Sequence, residues 1–338
     1  MQCPVSLERG ATGHVFNGGL YMIKKEEFYF DSRDEVSKIH ALKWIPDGAP
    51  RAVFQIIHGM QEYADRYDEF ARYLAERGIL VIASDHLGHG LSSKREDYGY
   101  FCSTDPRTVV VRDVHRLKKT VQEQYPGIPI ILLGHSMGSF VLRNYLSRYG
   151  TGIQAAIIMG TGSQPAMMLY TGLFMCSFLE HFKGERYIST FIEKRGMGSY
   201  CKRIANPNSK LDWLSVRKEN VKNYIEDEMC GVPFTVNGYR TLFTLIKYCQ
   251  SKKNMQELPK SLPILFISGE EDPVGHYGRD VNHLFHTYQR MGFQHVDIKL
   301  YPELRHEILN EDIREQVYED VYKWTNQVIL GITERKEV

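Results

Sequence analysis

The sequence predicts an α/β fold: a mostly parallel central sheet flanked by helices and interrupted once by a helical cap insertion. Three observations predict it. Short apolar runs alternate with stretches of helical periodicity, the signature of β-α units. Most of those runs lack polar–apolar alternation, so both faces of the sheet must be covered. Between residues 160 and 260 helix-like segments occur without a good strand, and the alternation resumes at Leu262 and Pro263.

Taken in order, residues 27–30 (EFYF) and 39–44 (IHALKW) read as two opening strands. Ser32, Arg33 and Asp34 form the turn between them, which makes an antiparallel edge. Buried strands follow at 52–57, 79–83, 130–133, 155–159 and 264–267. Tyr67, Phe70, Ala71 and Leu74 share one helical face, and Gly78 stops that helix. Val110, Val114, Leu117 and Val121 share another, opened by Asp105 and Pro106 and closed near Pro126 and Gly127. A third face runs through Val141, Leu142, Tyr145 and Leu146, and a fourth through Val281, Leu284, Phe285 and Tyr288. Ile313, Val317, Val321, Trp324 and Val328 form the last, with Asn310 as its expected N-cap. Residues 296–300 (VDIKL) alternate strictly, which predicts a half-exposed strand at the far edge. The expected division is an N-terminal extension at 1–24, a core made of 25–165 and 256–338, and a helical cap or lid at 166–255.

Composition narrows the function. The chain has 338 residues, 43% of them hydrophobic and 25% charged, with a formal net charge of +1. That balance supplies no basic stripe for a nucleic-acid partner. The six cysteines are scattered without a C-x-x-C pair, so they read as free thiols in a reducing compartment. The opening MQCPVSLERG carries a Glu and no apolar stretch, so it does not read as a secretory signal. No apolar run reaches the roughly 18 residues of a membrane span. The expected location is cytoplasmic, at most peripheral to a membrane.

The chemistry concentrates at Gly134-His135-Ser136-Met137-Gly138. Here a G-x-S-x-G motif follows a buried strand and precedes a helical pattern, the context of a strand-to-helix nucleophile elbow. A serine hydroxyl needs a base, and the base needs an orienting carboxylate, in the chain order Ser, acid, His. The loop after 264–267 offers Asp272, with Glu270 and Glu271 open as alternatives, and the loop after 296–300 offers His306. Backbone N–H donors for the developing oxyanion fall at Met137, directly after the serine, and at Met60, after Gly59 on the loop following 52–57. His86 and His89 lie three apart, but their segment reads better as a glycine-rich turn than as a metal site. No metal or other cofactor is expected.

Together these residues resemble an α/β-hydrolase of the monoglyceride lipase and lysophospholipase group, also classed with serine aminopeptidase-type hydrolases. The matching segments are His58-Gly59-x-x-Glu62 with Arg66-Tyr67, Asp85-x-x-Gly88-His89-Gly90-x-Ser92, the elbow itself, Gly269-x-x-Asp272 and His306-Glu307. They span residues 25 to 330, with the insertion covered least well. The resemblance implies Ser136 as nucleophile, Asp272 as acid, His306 as base, and the amides of Met60 and Met137 as the oxyanion hole. Tyr63 stands where relatives often have His, and Ser139 where many have a second Gly.

The expected function is ester hydrolysis through an acyl-enzyme, on a small-molecule ester or lipid of the monoacylglycerol or lysophospholipid type. Residues 167–179 are rich in Met, Leu and Phe and suit an acyl-chain wall or a transient contact with a membrane surface. Met168, Phe174 and Phe178 are the expected substrate contacts there, with His58 and Gly59 at the other end of the site. Two rivals stand beside this. One is a peptidase or amidase of the proline-iminopeptidase kind, with Glu226, Asp227 or Glu228 receiving an amine. The other is a non-catalytic ligand-binding protein on the same fold.

Overall fold

The computed structural model describes residues 7–8, 12–16 and 19–336, with side chains from 23 to 332. Among the described residues ten strands form one sheet: β1 (Leu7–Glu8), β2 (Thr12–Phe16), β3 (Gly19–Asp31), β4 (Lys38–Ile45), β5 (Ala52–Ile57), β6 (Ile79–Ser84), β7 (Ile130–His135), β8 (Ala155–Met159), β9 (Ile264–Gly269) and β10 (Val296–Tyr301). The order across it is β1-β3-β4-β6-β5-β7-β8-β9-β10, with β2 paired to β3. From β6 through β10 every neighbouring pair is parallel, while β3, β4 and β6 meet antiparallel.

The expected antiparallel edge is present, but β3 is longer than the periodicity suggested, beginning at Gly19. Of the expected 1–24 extension, residues 1–6, 9–11 and 17–18, including Cys3, lie outside the described residues.

Period-2 alternation sorts the strand side chains onto two faces. Val53, Ile57, Leu80, Ile82, Leu132, Ile158 and Phe266 belong to one apolar cluster; Phe54, Ile56, Val81, Ile131, Leu133, Ile157 and Ile267 belong to the other. Helices α2 (Pro106–Gln124), α3 (Met137–Tyr149) and α9 (Arg279–Arg290) cover the first. Helices α1 (Asp68–Ala75) and α10 (Arg314–Lys336) cover the second. Each fully buried Leu or Ile contributes about 1.5–3 kcal/mol relative to its exposed state, which is why uninterrupted apolar strands select this two-sided packing.

The last helix corrects the expected cap. Residues Ile308–Asn310 form a 3-10 turn and α10 starts only at Arg314. The delay has a cause: Glu311 is buried and accepts from Ser215 Oγ at 2.7 Å and from the Val216 and Arg217 amides, which ties the chain elsewhere.

Between β8 and β9 lie α4 (Ala166–Lys183), α5 (Thr190–Met197), α6 (Lys218–Glu226), α7 (Val236–Cys249) and α8 (Lys252–Gln256). The pairing of Ile188 with Thr235 there is a single isolated bridge. Helix α4 packs on α7, and α7 packs on α3, which sets this helical segment over the C-terminal end of the parallel strands.

Candidate active site

Ser136 sits between the last residue of β7 and the first of α3 with φ 53° and ψ −119°. For a non-glycine residue such a backbone costs of order 1–3 kcal/mol and persists only where the surroundings enforce it. They do so here. The Ser136 amide donates to Met159 O at 3.0 Å, and Ser139 Oγ donates to Ser136 O at 2.6 Å. A Cβ at Gly138 would fall 2.0 Å from Ile57 O, so only glycine lets α3 approach β5 this closely. Ser139, the departure noted in the sequence, also lies 2.9 Å from Thr161 Oγ1 and braces the elbow from behind.

Of the three carboxylates in the loop after β9, Glu270 and Glu271 are exposed and Asp272 is fully buried. His306 Nδ1 donates to Asp272 Oδ2 at 2.8 Å. Asp272 is fixed in turn by the Val274 amide on Oδ1 (2.9 Å) and by Ser268 Oγ on Oδ2 (3.2 Å). Burial pushes the His306 pKa down, but the Asp272 carboxylate and its hydrogen bond outweigh it and hold the pKa above the ordinary imidazole value.

Neither His58 nor Gly59, both expected as substrate contacts, lines the cavity at Ser136; His58 works through the backbone. Its Nδ1–H donates to Gly59 O at 2.8 Å, while its Nε2 accepts the His86 amide at 2.9 Å. The Gly59 carbonyl and the Met60 N–H belong to one planar trans peptide, so anchoring the first aims the second the opposite way. Burial, with His89 nearby, pushes the His58 pKa down to about 3 and keeps the ring neutral. Gly59 is needed for proximity: a Cβ there would stand 2.5 Å from Glu62 Oε1 and 3.1 Å from Ser136 Cβ. The second amide, Met137 N–H, opens α3, where first-turn amides have no intrahelical acceptor and the dipole favours an anion.

A buried ionic network holds these loops in register. The Gly59 amide donates to Glu62 Oε1 at 2.6 Å, and the Tyr67 hydroxyl donates to the same oxygen at 2.8 Å. Arg66 Nη1 reaches Glu62 Oε2 and Glu307 Oε1, both at 2.8 Å, and its Nη2 reaches Glu307 Oε2 at 2.8 Å. Burial raises both carboxyl pKa values, but the contact with His135 at Glu62 and the charge of Arg66 at both prevail and hold them below the usual range. The sequence motifs contain every member of this network, but nothing in their spacing says that Arg66 joins Glu62 to Glu307.

Ser136, His306, Met60 and Met137 line one cavity of about 450 Å³, a volume suited to a small organic ligand. Its apolar walls come from α4 (Met168, Leu169, Met175), α5 (Ile192) and α7 (Leu242, Phe243). Met168 thus reaches the cavity as expected. Phe174 and Phe178 do not: they stand on the outer side of α4, 71% and 51% exposed. The three acids weighed as an amine site lie outside the cavity. Asp227 accepts from Tyr63 and Met229, Glu228 pairs with Arg95, and Glu226 pairs with Lys222.

Among the described residues there is no cluster of metal-binding side chains and no helix long and apolar enough to cross a membrane. The described cysteines are all free thiols.

The profile of the family described as serine aminopeptidase, S33, matches residues 48–313. The chain is 28% identical over 284 residues to the monoacylglycerol lipase of Mycolicibacterium smegmatis, covering 83% of this chain and 90% of that one. It is 42% identical over 98 residues to human monoglyceride lipase, covering 29% of this chain and 31% of that one. The crystal structure of a thermostable carboxyl esterase from Bacillus coagulans, in complex with glycerol, superposes with a TM-score of 0.85. The two are 29% identical, and the match covers 90% of this chain and 99% of the esterase.

Proposed function

Because the chain belongs to the serine aminopeptidase, S33, family of α/β-hydrolases, we propose that it cleaves carboxylic esters through an acyl-enzyme formed on Ser136. The observation that carries this is one cavity shared by a serine on a strained elbow and a histidine bonded to a buried aspartate. In the proposed cycle Ser136 Oγ attacks the ester carbonyl as His306 Nε2 takes its proton. Asp272 holds the imidazolium, and the Met60 and Met137 amides receive the oxyanion. Collapse breaks the carbon–oxygen bond, His306 returns the proton to the leaving alcohol, and water repeats the sequence on the acyl-enzyme.

The apolar cavity wall favours a long acyl chain, and the relatives named as monoacylglycerol lipases favour a monoacylglycerol or similar lipid. In this reading residues 166–255 act as the cap over the core. The outer stripe of α4, formed by Tyr170, Phe174, Phe178 and Phe182, is the face it would lay on a lipid surface. The amidase alternative loses support because its acids are engaged elsewhere.

A panel of monoacylglycerols, lysophospholipids, short aryl esters and aminoacyl amides tests the reading, with the highest kcat/KM expected on a long-chain monoacylglycerol. Preference for the amides overturns it. A fluorophosphonate probe should label Ser136, and absence of labelling would indicate a binding protein instead.

The pH profile follows from His306, which must be neutral to accept the serine proton. Since its pKa is raised, kcat/KM should fall on acidification with a midpoint above the ordinary imidazole value of about 6.5. Rate measurements on a soluble aryl ester between pH 5 and 9 check this.

A further inference from the structure

The 3-10 turn Asp212–Leu214 belongs to the helical segment between β8 and β9, yet it is bound to the loop that carries His306. Arg305 Nη1 donates to Asp212 O at 2.6 Å and to Ser215 O at 3.0 Å. The Glu307 amide donates to Leu214 O at 2.8 Å. The Glu311 carboxylate accepts from Ser215 Oγ and from the two amides that follow. Three groups flanking His306 in sequence therefore grip the residues on either side of Trp213.

This grip brings one side chain to the imidazole. The Trp213 and His306 ring centroids are 5.0 Å apart at an interplanar angle of 48°. Trp213 is 93% buried, given a relative exposure of 7%. Its own position is set by Tyr200, packed edge-on at 4.8 Å. A wall residue that merely fills space does not require its backbone to be fastened on both sides to the loop of the base.

We propose that Trp213 is a positioning residue for His306. The indole limits rotation of the imidazole, so that Nε2 stays turned to Ser136 while Nδ1 holds Asp272. Its π-face also attracts the imidazolium formed during serine attack. This rests on the role proposed above for His306 and goes beyond it by assigning part of the machinery to the helical segment. The other charged or titratable groups facing His306 are Asp272 after β9, His135 at the end of β7 (ring centroids 4.8 Å apart), Glu62 after β5, and its neighbour Glu307. Arg66 pairs with Glu62 and Glu307, and Tyr200 stands behind Trp213. Substitution at 213 replaces none of these groups; of them, Tyr200 packs against the indole and loses that contact.

The test compares Trp213→Leu, which keeps the site apolar, with Trp213→Phe, which keeps an aromatic face. The His306 pKa is read by NMR of the imidazole in the full-length chain, and kcat/KM is read on an acetyl ester too short to use the acyl walls. Trp213→Leu should lower the His306 pKa by roughly half a unit and kcat/KM by about tenfold, and Trp213→Phe should restore most of both. An unchanged pKa and acetyl-ester rate in Trp213→Leu, with loss confined to long-chain esters, would make Trp213 a wall residue only and overturn the proposal. So would a Phe variant no better than Leu. Because the NMR titration needs no turnover, a wild-type chain inactive on every ester would defeat the ester reading while leaving the Trp213–His306 contact decided on its own evidence.

Discussion

Ser136→Ala is expected to lower ester turnover by about 10⁴-fold or more while leaving the fold intact. The elbow is held by the Ser136 amide and carbonyl and by Gly138, and alanine preserves all three. What should remain is the modest catalysis that the amides proposed for the oxyanion, Met60 and Met137, supply without a nucleophile. Ser136→Gly should be equally inactive but more stable, by about 1 kcal/mol, because glycine adopts φ 53° without the crowding a Cβ suffers. Steady-state rates on an aryl ester, together with thermal melts of the two variants, check both halves. Rapid hydrolysis by Ser136→Ala would remove Ser136 from the mechanism.

Arg66→Met should have the largest effect on stability. It deletes three charge-assisted hydrogen bonds and takes the shared guanidinium from Glu62 and Glu307, 3% and 2% exposed, leaving Glu62 with Gly59, Tyr67 and His135 and Glu307 with Asn220 and Asn310. Breaking a buried pair in this way costs about 3–5 kcal/mol, here with two acids losing one cation by one change. The pH dependence carries a sign. In the wild type both carboxyl pKa values are depressed, so their contribution is present above the unfolded value of about 4.3 and is lost as pH falls through the folded values. In the variant burial acts with less opposition, above all at Glu307, where Arg66 is the leading counter-charge, while Glu62 keeps its contact with His135; the Glu307 pKa rises, so the deficit should be large at pH 7 and shrink towards pH 5. Denaturant melts at the two pH values measure it, and an equal deficit at both would show that Arg66 acts by packing alone. Activity should fall as well, since Glu62 holds the Gly59 amide and Glu307 adjoins His306.

The parts of the molecule legible in sequence are those governed by local rules. Uninterrupted apolar runs identified the strands from β5 to β9, and alternation identified β10 as an edge. The elbow motif and the order of serine, aspartate and histidine located three residues that the structure gathers at one cavity or bonds to its lining. Features that depend on distant contacts were hidden. Arg66 meets Glu307 across 241 positions, and Glu311 holds Ser215 across 96. No periodicity reports such a pair, and the second of them shifted the start of α10. Helix α4 escaped for another reason. It is apolar nearly all round, so its pattern could not say that Met168 faces the cavity while Phe174 and Phe178 face outward.

The neutral His58 that anchors the Gly59 carbonyl has one more consequence. A ring that gains its proton only near pH 3 stays unchanged over the whole range in which His306 titrates. In the proposed mechanism acidity therefore governs how large a fraction of molecules holds a ready base, and it leaves the peptide proposed to receive the oxyanion untouched. The acid side of the rate profile should follow a single ionisation, with unit slope on logarithmic axes, because the two halves of the machinery answer to different protons.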